Sequence, residues 1–120
     1  MKKTQILVCD DEPGVRESLT LILGREYELL YATNGAQAVE KIREHNPAIA
    51  ILDIKMPQMD GLEALREIKR LKPGIRVLIV TGYDSSDVAN QAIQMGAEDY
   101  LVKPFDRHRV ITQVQSILSS

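Results

Sequence analysis

The sequence is poor in cysteine, in net charge and in long apolar runs, and each shortage excludes a class of protein. A single cysteine among 120 residues excludes an intrachain disulfide framework and is typical of the cytoplasm. The 15 Lys and Arg residues against 17 Asp and Glu residues give a net charge of -2, which excludes a strongly basic nucleic-acid binder. No apolar run approaches the roughly 20 residues that span a bilayer. Because Met1-Lys2-Lys3 leads directly into a short apolar segment, no signal peptide is predicted.

Short apolar runs alternate with amphipathic stretches along the whole chain. Hydrophobic residues make up 44% of it, which is enough for a packed core. The predicted strands are Ile6-Leu7-Val8-Cys9, Glu28-Leu29-Leu30-Tyr31-Ala32, Ile49-Ala50-Ile51-Leu52, Val77-Leu78-Ile79-Val80 and Tyr100-Leu101-Val102. The second strand is flanked by acidic residues, which predicts an edge position.

Between the predicted strands the apolar residues recur at the spacing of a helix. The five stripes are Val15, Leu19, Ile22 and Leu23; Ala36, Val39 and Ile42; Leu62, Leu65, Ile68 and Leu71; Val88, Ala92 and Met95; and Val110, Val114, Ile117 and Leu118. Pro13 suits the first position of the first helix, and Gly96 suits the end of the fourth.

Five successive βα units predict a parallel sheet with right-handed crossovers and helices on both faces. We therefore expect one domain over residues 1–120, with a doubly wound, flavodoxin-like α/β fold. The common strand order at this size is 2-1-3-4-5, although the pattern alone does not determine it. That order makes the first and third strands neighbours, so that the loops after strands 1, 3, 4 and 5 surround one crevice.

Charged and polar residues follow four of the predicted strands. They are Asp10, Asp11 and Glu12, then Asp53, then Thr81, and finally Lys103. Asp10 or Asp11 alone is equally well explained as a helix cap. Three crowded carboxylates at Asp10, Asp11 and Asp53 are instead tolerable only if a cation neutralises them or one of them stays protonated, since like charges repel. We expect the charge of this pocket to be offset mainly by distant Lys and Arg. Oxygen ligands without His or Cys favour Mg²⁺, and Cys9 is expected to be a small core residue.

The first loop disfavours a nucleotide or flavin site. Members of this architecture that bind phosphate use a glycine- or hydroxyl-rich loop at a helix N-terminus. Here the loop reads Asp-Asp-Glu-Pro-Gly, which repels a phosphate unless a metal intervenes. Neither G-x-G-x-x-G nor G-x-x-x-x-G-K-[ST] occurs in the chain.

Taken together, these motifs resemble the response-regulator receiver domain of two-component signalling in bacteria. The matching features are Asp10-Asp11, Asp53-x-x-Met56-Pro57-x-Met59-Asp60-Gly61, Thr81-Gly82, Gly96-Ala97-x-Asp99-Tyr100-Leu101 and Lys103-Pro104-Phe105. They cover nearly the whole chain in the order of the family. Each motif alone is weakly specific, whereas the combination is highly specific.

The resemblance implies a phosphoacceptor and its metal ligands. It makes Asp53 the residue that takes a phosphoryl group from a phosphohistidine of a partner kinase. It also implies that Asp11, Asp53 and the backbone carbonyl of Lys55 bind Mg²⁺, with Asp10 acting directly or through water. In this family the residues equivalent to Lys55 and Tyr83 influence hydrolysis of the acyl phosphate, and we expect their bulk to slow it.

The resemblance also implies a conformational switch. Thr81 would hydrogen-bond the phosphoryl group, Lys103 would pair with it, and Tyr100 would turn inward when Thr81 moves. Tyr100 alone is also explained as a packed aromatic. The expected output is a conformational change in the surface formed by the fourth helix, fifth strand and fifth helix. This surface would control an output domain or a partner protein. We also expect the chain to form a homodimer on activation. A cis Lys103-Pro104 bond is usual in this family.

Two other functions compete with a signalling domain. A small Mg²⁺-dependent phosphohydrolase with an aspartyl nucleophile usually has a second Asp where this chain has Lys55, and it usually needs a cap domain. A receiver-like interaction domain that does not use phosphate would not require the set of Asp11, Asp53, Thr81 and Lys103. The stretch 96–106 somewhat resembles the receiver domains of ATPase-type transcription activators. The chain is therefore either a separate regulator or part of a longer one, and the sequence does not decide between the two.

Overall fold

A computed structural model describes residues 3–82 and 86–119 of the chain. Within these ranges the strands are β1 (Gln5–Cys9), β2 (Glu28–Ala32), β3 (Ile49–Asp53), β4 (Arg76–Thr81) and β5 (Asp99–Val102). The helices are α1 (Pro13–Leu23), α2 (Gly35–Glu44), α3 (Gly61–Leu71), α4 (Ser86–Gln94) and α5 (Arg107–Leu118). The strands form one parallel sheet in the order β2-β1-β3-β4-β5, which confirms the predicted fold class.

The three central strands are buried on both faces, as their continuous apolar runs predict. Every residue of β3 is buried, and so are all but the first residues of β1 and β4. One core lies against α2, α3 and α4 and includes Leu7, Leu52 and Ile79. The other lies against α1 and α5 and includes Ile51 and Leu78. The strand β2 is an edge strand, as predicted, and leaves Tyr31 40% exposed.

Local signals explain where the helices begin and end. Pro13 occupies the first turn of α1. The side chains of Asn34, Asp60 and Asp106 accept a backbone N–H at the starts of α2, α3 and α5. The chain leaves α4 through Gly96, whose φ of 109° is a left-handed value that glycine adopts without strain. The first and last of these features were predicted from the sequence.

One of the predicted apolar stripes, that of α2, is partly wrong. Ala36 is exposed, whereas Ala38 is buried beside Val39 and Ile42. The buried face of α2 therefore follows the spacing 35, 38, 39 and 42, and position 36 is rotated by about 100° from position 35. In α4 the buried residues are Ala89 and Ala92, while Val88 is only half-buried. The rest of the predicted apolar face positions in α1, α3 and α5 are buried or half-buried.

The topology brings the carboxyl ends of β1, β3, β4 and β5 to one edge of the sheet, because all strands are parallel. The peptide bond between Lys103 and Pro104 is cis at the exit of β5, a point that the sequence itself left open. Over residues 3–82 and 86–119, none of the helices combines the length and the apolar character needed to cross a membrane.

Candidate functional site

Four carboxylates converge at the carboxyl edge of the sheet. Asp10 follows β1 and is 2% exposed, and Asp53 ends β3 and is 5% exposed. Asp11 and Glu12 are exposed beside them. One carboxylate oxygen from each of the four residues lies within 4.8 Å of the others. The β1–β3 pairing, which places Cys9 next to Leu52, is the reason that the residues following these positions meet.

Lys103 contacts three of these acids directly. Its Nζ lies 3.3 Å from Asp10 Oδ2, 3.3 Å from Asp53 Oδ2 and 3.1 Å from Glu12 Oε1. Its backbone N–H donates to the carbonyl oxygen of Thr81 at 2.8 Å, which holds the end of β5 against β4. Lys103 therefore lies within the site itself and offsets part of the charge that distant Lys and Arg were expected to offset.

The environment of the two buried acids opposes their ionisation. Burial, followed by the charge of Asp10, raises the pKa of Asp53 to about 6, while Lys103 acts in the opposite direction. Burial also raises the pKa of Asp10 above its ordinary value, although a backbone hydrogen bond from Glu12 and the Lys103 charge oppose the shift. The site therefore carries more negative charge than one lysine neutralises.

The donor set fits a hard divalent cation. Asp10 Oδ2 is buried and has no hydrogen-bond partner among the described residues, although Lys103 Nζ lies close to it. The surrounding ligands are carboxylate oxygens, which Mg²⁺ prefers. Cys9 does not join them: its Sγ lies 3.3 Å from both Asn34 O and Met56 Sδ, and burial raises the pKa of the thiol to about 12. This agrees with its prediction as a core residue.

A cleft of about 390 Å³ opens onto these acids. Its lining residues are Asp11, Glu12, Asp53, Ile54, Lys55, Gly82, Val88 and Lys103. The backbone N–H of Lys55 acts on the Asp53 carboxylate and lowers its pKa, against the larger effect of burial. A larger groove, about 850 Å³, lies near the start of β2, and its charged lining residues are Lys3 and Glu28. We assign the site to the smaller cleft, because that is where several carboxylates and a lysine converge and where the pKa of Asp53 is raised to about 6.

The predicted switch residues lie on β4 and β5, two of the strands that end at this site. Thr81 is buried at the end of β4, and its hydroxyl donates to the carbonyl oxygen of Gly82 at 2.9 Å. Tyr100 is half-buried and packs against the core shared by α2, α3 and α4. The side chain of Gln113 on α5 donates to the Tyr100 carbonyl at 2.7 Å. Tyr83 lies outside the described residues.

The structure therefore brings together Asp10, Asp11, Asp53, Lys55 and Lys103, as the sequence predicts. The chemical roles that the resemblance implies for them stay predictions at this point.

Two further residues belong to the site although the sequence analysis gave them no role. Glu12 contacts Lys103. Its place directly after Asp10 and Asp11 in the sequence is the signal that could have identified it as a site residue. The Arg16 guanidinium donates to the backbone carbonyl of Asp10 at 2.6 Å. No sequence motif points to Arg16, because the contact depends on how α1 packs against the end of β1.

Comparison with known proteins agrees with this geometry. Residues 6–115 match the family described as the response regulator receiver domain. The chain is similar to the chemotaxis protein CheY of Bacillus subtilis, with 39% identity over 96% of this chain and 98% of that protein. It is also similar to the transcriptional regulatory protein ZraR of Klebsiella oxytoca, with 45% identity over 88% of this chain.

Among solved structures, NtrX from Brucella abortus superposes with a TM-score of 0.93 at 32% identity, covering 98% of this chain. The chain spans only 24% of ZraR and 27% of the NtrX chain, whereas it spans nearly all of CheY.

Proposed function

We propose that this chain, which belongs to the response regulator receiver domain family, accepts a phosphoryl group on Asp53 from a histidine kinase in a Mg²⁺-dependent reaction. The observation that carries the proposal is the buried Asp53 carboxylate, which lies 3.3 Å from Lys103 within a cluster of four acids. The family is a signalling family, so the expected outcome is one modified residue and not catalytic turnover. We further propose that the chain acts in the bacterial cytoplasm, where its single cysteine remains reduced.

The chemistry requires an ionised carboxylate that can approach phosphorus. A carboxylate oxygen of Asp53 forms a bond to phosphorus while the phosphorus–nitrogen bond of the kinase phosphohistidine breaks, and the bonding electron pair remains on the imidazole nitrogen. With a pKa of about 6, Asp53 is mostly ionised at neutral pH. Lys103 is already oriented towards that carboxylate, so it can contact the incoming phosphoryl oxygens without a large movement.

Asp10, Asp11, Asp53 and the backbone carbonyl of Lys55 are the proposed Mg²⁺ ligands. The buried Asp10 Oδ2 without a hydrogen-bond partner supports this set, because an ion at the site would satisfy it. When bound, the metal supplies the positive charge that allows an anionic phosphoryl group to approach four acids. Glu12 already pairs with Lys103, so we assign it no metal bond.

We propose that Thr81 and Tyr100 transmit the modification. The Thr81 hydroxyl donates to the neighbouring Gly82 carbonyl, a local bond that it can exchange for a bond to a phosphoryl oxygen. Such a movement would vacate space near β5, towards which Tyr100 can turn. Because Gln113 holds the Tyr100 carbonyl, a change at Tyr100 would also reach α5.

The composition of α4 and α5 supports the surface formed by α4, β5 and α5 as the output surface. The sequence of α4 contains one charged residue, Asp87, and α5 has no Asp, Glu, Lys or Arg after Arg109. In contrast, the eleven residues of α3 include five charged ones. Depletion of charge is a compositional signal of protein interfaces. We therefore propose that this surface binds an output domain or a partner protein, and forms a homodimer on activation.

The proposal is tested by phosphorylation with phosphoramidate, a small donor with a phosphorus–nitrogen bond. Intact-mass measurement should reveal one phosphoryl group on wild type with Mg²⁺, and none after chelation or in Asp53→Asn. Asp60→Asn is the matched control, since it lies in the following loop and Asn retains the cap of α3. Labelling of Asp53→Asn, or no Mg²⁺-dependent labelling of wild type, would overturn the proposal. Multiple turnover on small phosphate esters would instead favour the phosphohydrolase.

We also propose that Lys55 and Tyr83 set the lifetime of the modification. The proposal rests on the family resemblance and on the position of Lys55 at the wall of the cleft. Tyr83→Ala should shorten the half-life of phosphorylated Asp53 about threefold, a change of less than 1 kcal/mol in the barrier. The half-life is measured by intact mass after removal of the donor. An unchanged half-life would contradict a screening role for Tyr83.

A further inference from the structure

The β3–α3 loop, residues 54–60, determines how Lys55 faces the phosphoacceptor. The backbone N–H of Lys55 acts on the Asp53 carboxylate and lowers its pKa, and Lys55 lines the cleft. The start of the loop is tied to the sheet, where Ile54 N–H donates to Val80 O, and the two ends of the loop are tied to each other, where Gly61 N–H donates to Ile54 O. Its middle, which includes Gln58 with a left-handed φ of 68°, needs a separate support.

The N-terminus of α2 supplies that support. The backbone N–H of Gly35 donates to Met59 O at 2.9 Å, so the first residue of α2 lies directly against the loop. A Cβ at position 35 would collide with Met59 O and lie 2.8 Å from the Met59 carbonyl carbon. The obstacle is backbone, which cannot rotate away as a flexible side chain can. Glycine is therefore required at position 35 by the close approach of two backbone segments.

Cys9 provides a second connection between the same two segments. Its thiol lies 3.3 Å from Asn34 O, at the cap of α2, and 3.3 Å from Met56 Sδ in the β3–α3 loop. Burial keeps the thiol protonated, so it acts as a donor to the carbonyl. Met56 and Met59 are half-buried against the same core. The loop is thus held from behind by β1 and α2, on the side away from the cleft.

We propose that Gly35 is a positioning residue for the phosphoacceptor site. By allowing α2 to approach Met59, it holds the β3–α3 loop where Lys55 can meet both Asp53 and the metal. The inference rests on the proposed function, in which the Lys55 carbonyl is a Mg²⁺ ligand. A side chain at position 35 must push Met59 away from α2, and this shift is passed along the short loop to Lys55, which weakens metal binding although no ligand is changed.

The test compares Gly35→Ala with Gly14→Ala. Both glycines lie in the first turn of a helix, but a Cβ at Gly14 meets nothing within 4 Å. Mg²⁺ affinity is measured by isothermal titration calorimetry, well below the melting temperature of each variant. Gly35→Ala should bind Mg²⁺ about tenfold more weakly than wild type, whereas Gly14→Ala should bind it equally well. Equal affinity of folded Gly35→Ala and wild type would overturn the inference.

A second measurement separates this inference from the proposed function. In metal-free protein, Gly35→Ala should move the Lys55 amide resonance in a ¹⁵N correlation spectrum, because the loop backbone next to the Asp53 carboxylate shifts. Failure of wild type to bind Mg²⁺ would contradict the proposed function, while an unmoved Lys55 resonance would contradict the positioning role.

If Gly35→Ala does not fold, Cys9→Ala decides the question. That variant removes the thiol contacts to Asn34 and Met56 without adding an atom, and it should weaken Mg²⁺ binding about threefold, as expected for one modest hydrogen bond. Unchanged affinity in Cys9→Ala would then overturn the positioning role of this support.

Discussion

Acidic and basic side chains are paired differently at the two ends of the parallel sheet. At the carboxyl end one cation, Lys103, is shared among Asp10, Glu12 and Asp53. At the amino end one acid, Glu98, is shared between a cation and the backbone. Its Oε1 accepts the Val77 N–H at 2.6 Å, and its Oε2 lies 3.3 Å from Lys69 Nζ.

Neighbouring contacts repeat the pattern at the amino end. Lys69 also donates to Ile75 O at 2.8 Å, Lys72 donates to Asn46 Oδ1 at 2.8 Å, and Arg76 donates to Ile117 O at 2.7 Å. Each of these cations donates a hydrogen bond to an oxygen that lies near the start of a strand or the end of a helix. At this end charge stabilises the fold, because donors and acceptors are matched.

Four acids therefore meet one lysine at the carboxyl end, where a bound cation could neutralise the excess negative charge, whereas Glu98 at the amino end is matched by its partners. Burial and repulsion raise the pKa of Asp53, which means that the folded state is less favourable for its ionised form than the unfolded chain. This cost is consistent with a site that stores charge for a metal and a phosphoryl group. The predictions below test the contrast between the two ends.

The largest expected effect is the dependence of stability on the ionisation of Asp53. Burial raises the pKa of Asp53 from 3.8 to about 6, so the folded state binds a proton more tightly than the unfolded state does. Relative to Asp53→Asn, metal-free wild type should therefore lose stability as the pH rises from about 4 to about 6, by up to about 3 kcal/mol in total. Above that range the difference should stay constant.

Urea unfolding of both proteins across this pH range, with chelator present, measures the difference. A gap between wild type and Asp53→Asn that does not change with pH would contradict the charge excess at the carboxyl end.

Binding of Mg²⁺ should offset most of the loss of stability that ionised Asp53 causes. At about 100 times its dissociation constant, the ion should stabilise wild type by about 2.7 kcal/mol, because it binds only the folded site. Asp10→Asn should lose most of the response, whereas Glu98→Gln, at the opposite end of the sheet, should keep it. Melting temperatures with Mg²⁺ and with chelator provide the measurement. A full response in Asp10→Asn would place the ion elsewhere.

A smaller effect is expected at the amino end, and with the opposite sign. Glu98→Ala leaves the Val77 N–H without its acceptor and Lys69 without its acid, so it should destabilise the protein by about 1–2 kcal/mol. Glu98→Gln retains the acceptor and loses only a partly exposed ion pair, so it should cost about 0.5 kcal/mol. Neither variant should alter Mg²⁺ affinity. Stabilisation by Glu98→Ala would show that the two ends do not differ as described.

Much of the fold was predictable because its signals are local. The apolar runs of the central strands identify parallel strands buried on both faces, and Pro13 and Gly96 mark helix boundaries. The prediction that Ala36 lies on the buried face of α2 was wrong for two reasons. Alanine occurs on either face of a helix, and the apolar pattern carries no information about the contact of α2 with the β3–α3 loop. The contact of Gly35 with this loop helps to determine which residues of α2 face the core, and it could not be known from the sequence.

The candidate site was predictable in its acids and less so in its surroundings. Asp10, Asp11 and Asp53 follow predicted strands, so parallel topology is enough to bring them together. Glu12 and Arg16 carry no comparable signal, because their contacts with Lys103 and with the Asp10 carbonyl depend on side-chain direction and on helix packing.

The sequence by itself determined the order of strands and helices and the chemical types at the strand ends, because hydrophobic periodicity and residue identity are properties of the chain. Only the tertiary structure decided which charges meet. Lys103 reaches Asp53 across 50 residues of sequence, and Gly35 reaches Met59 from another element. Burial raises the pKa of Asp53 and leaves Asp10 Oδ2 without a hydrogen bond from residues 3–82 and 86–119. Both effects arise only when the sheet assembles, because they depend on the solvent that the neighbouring strands and helices exclude.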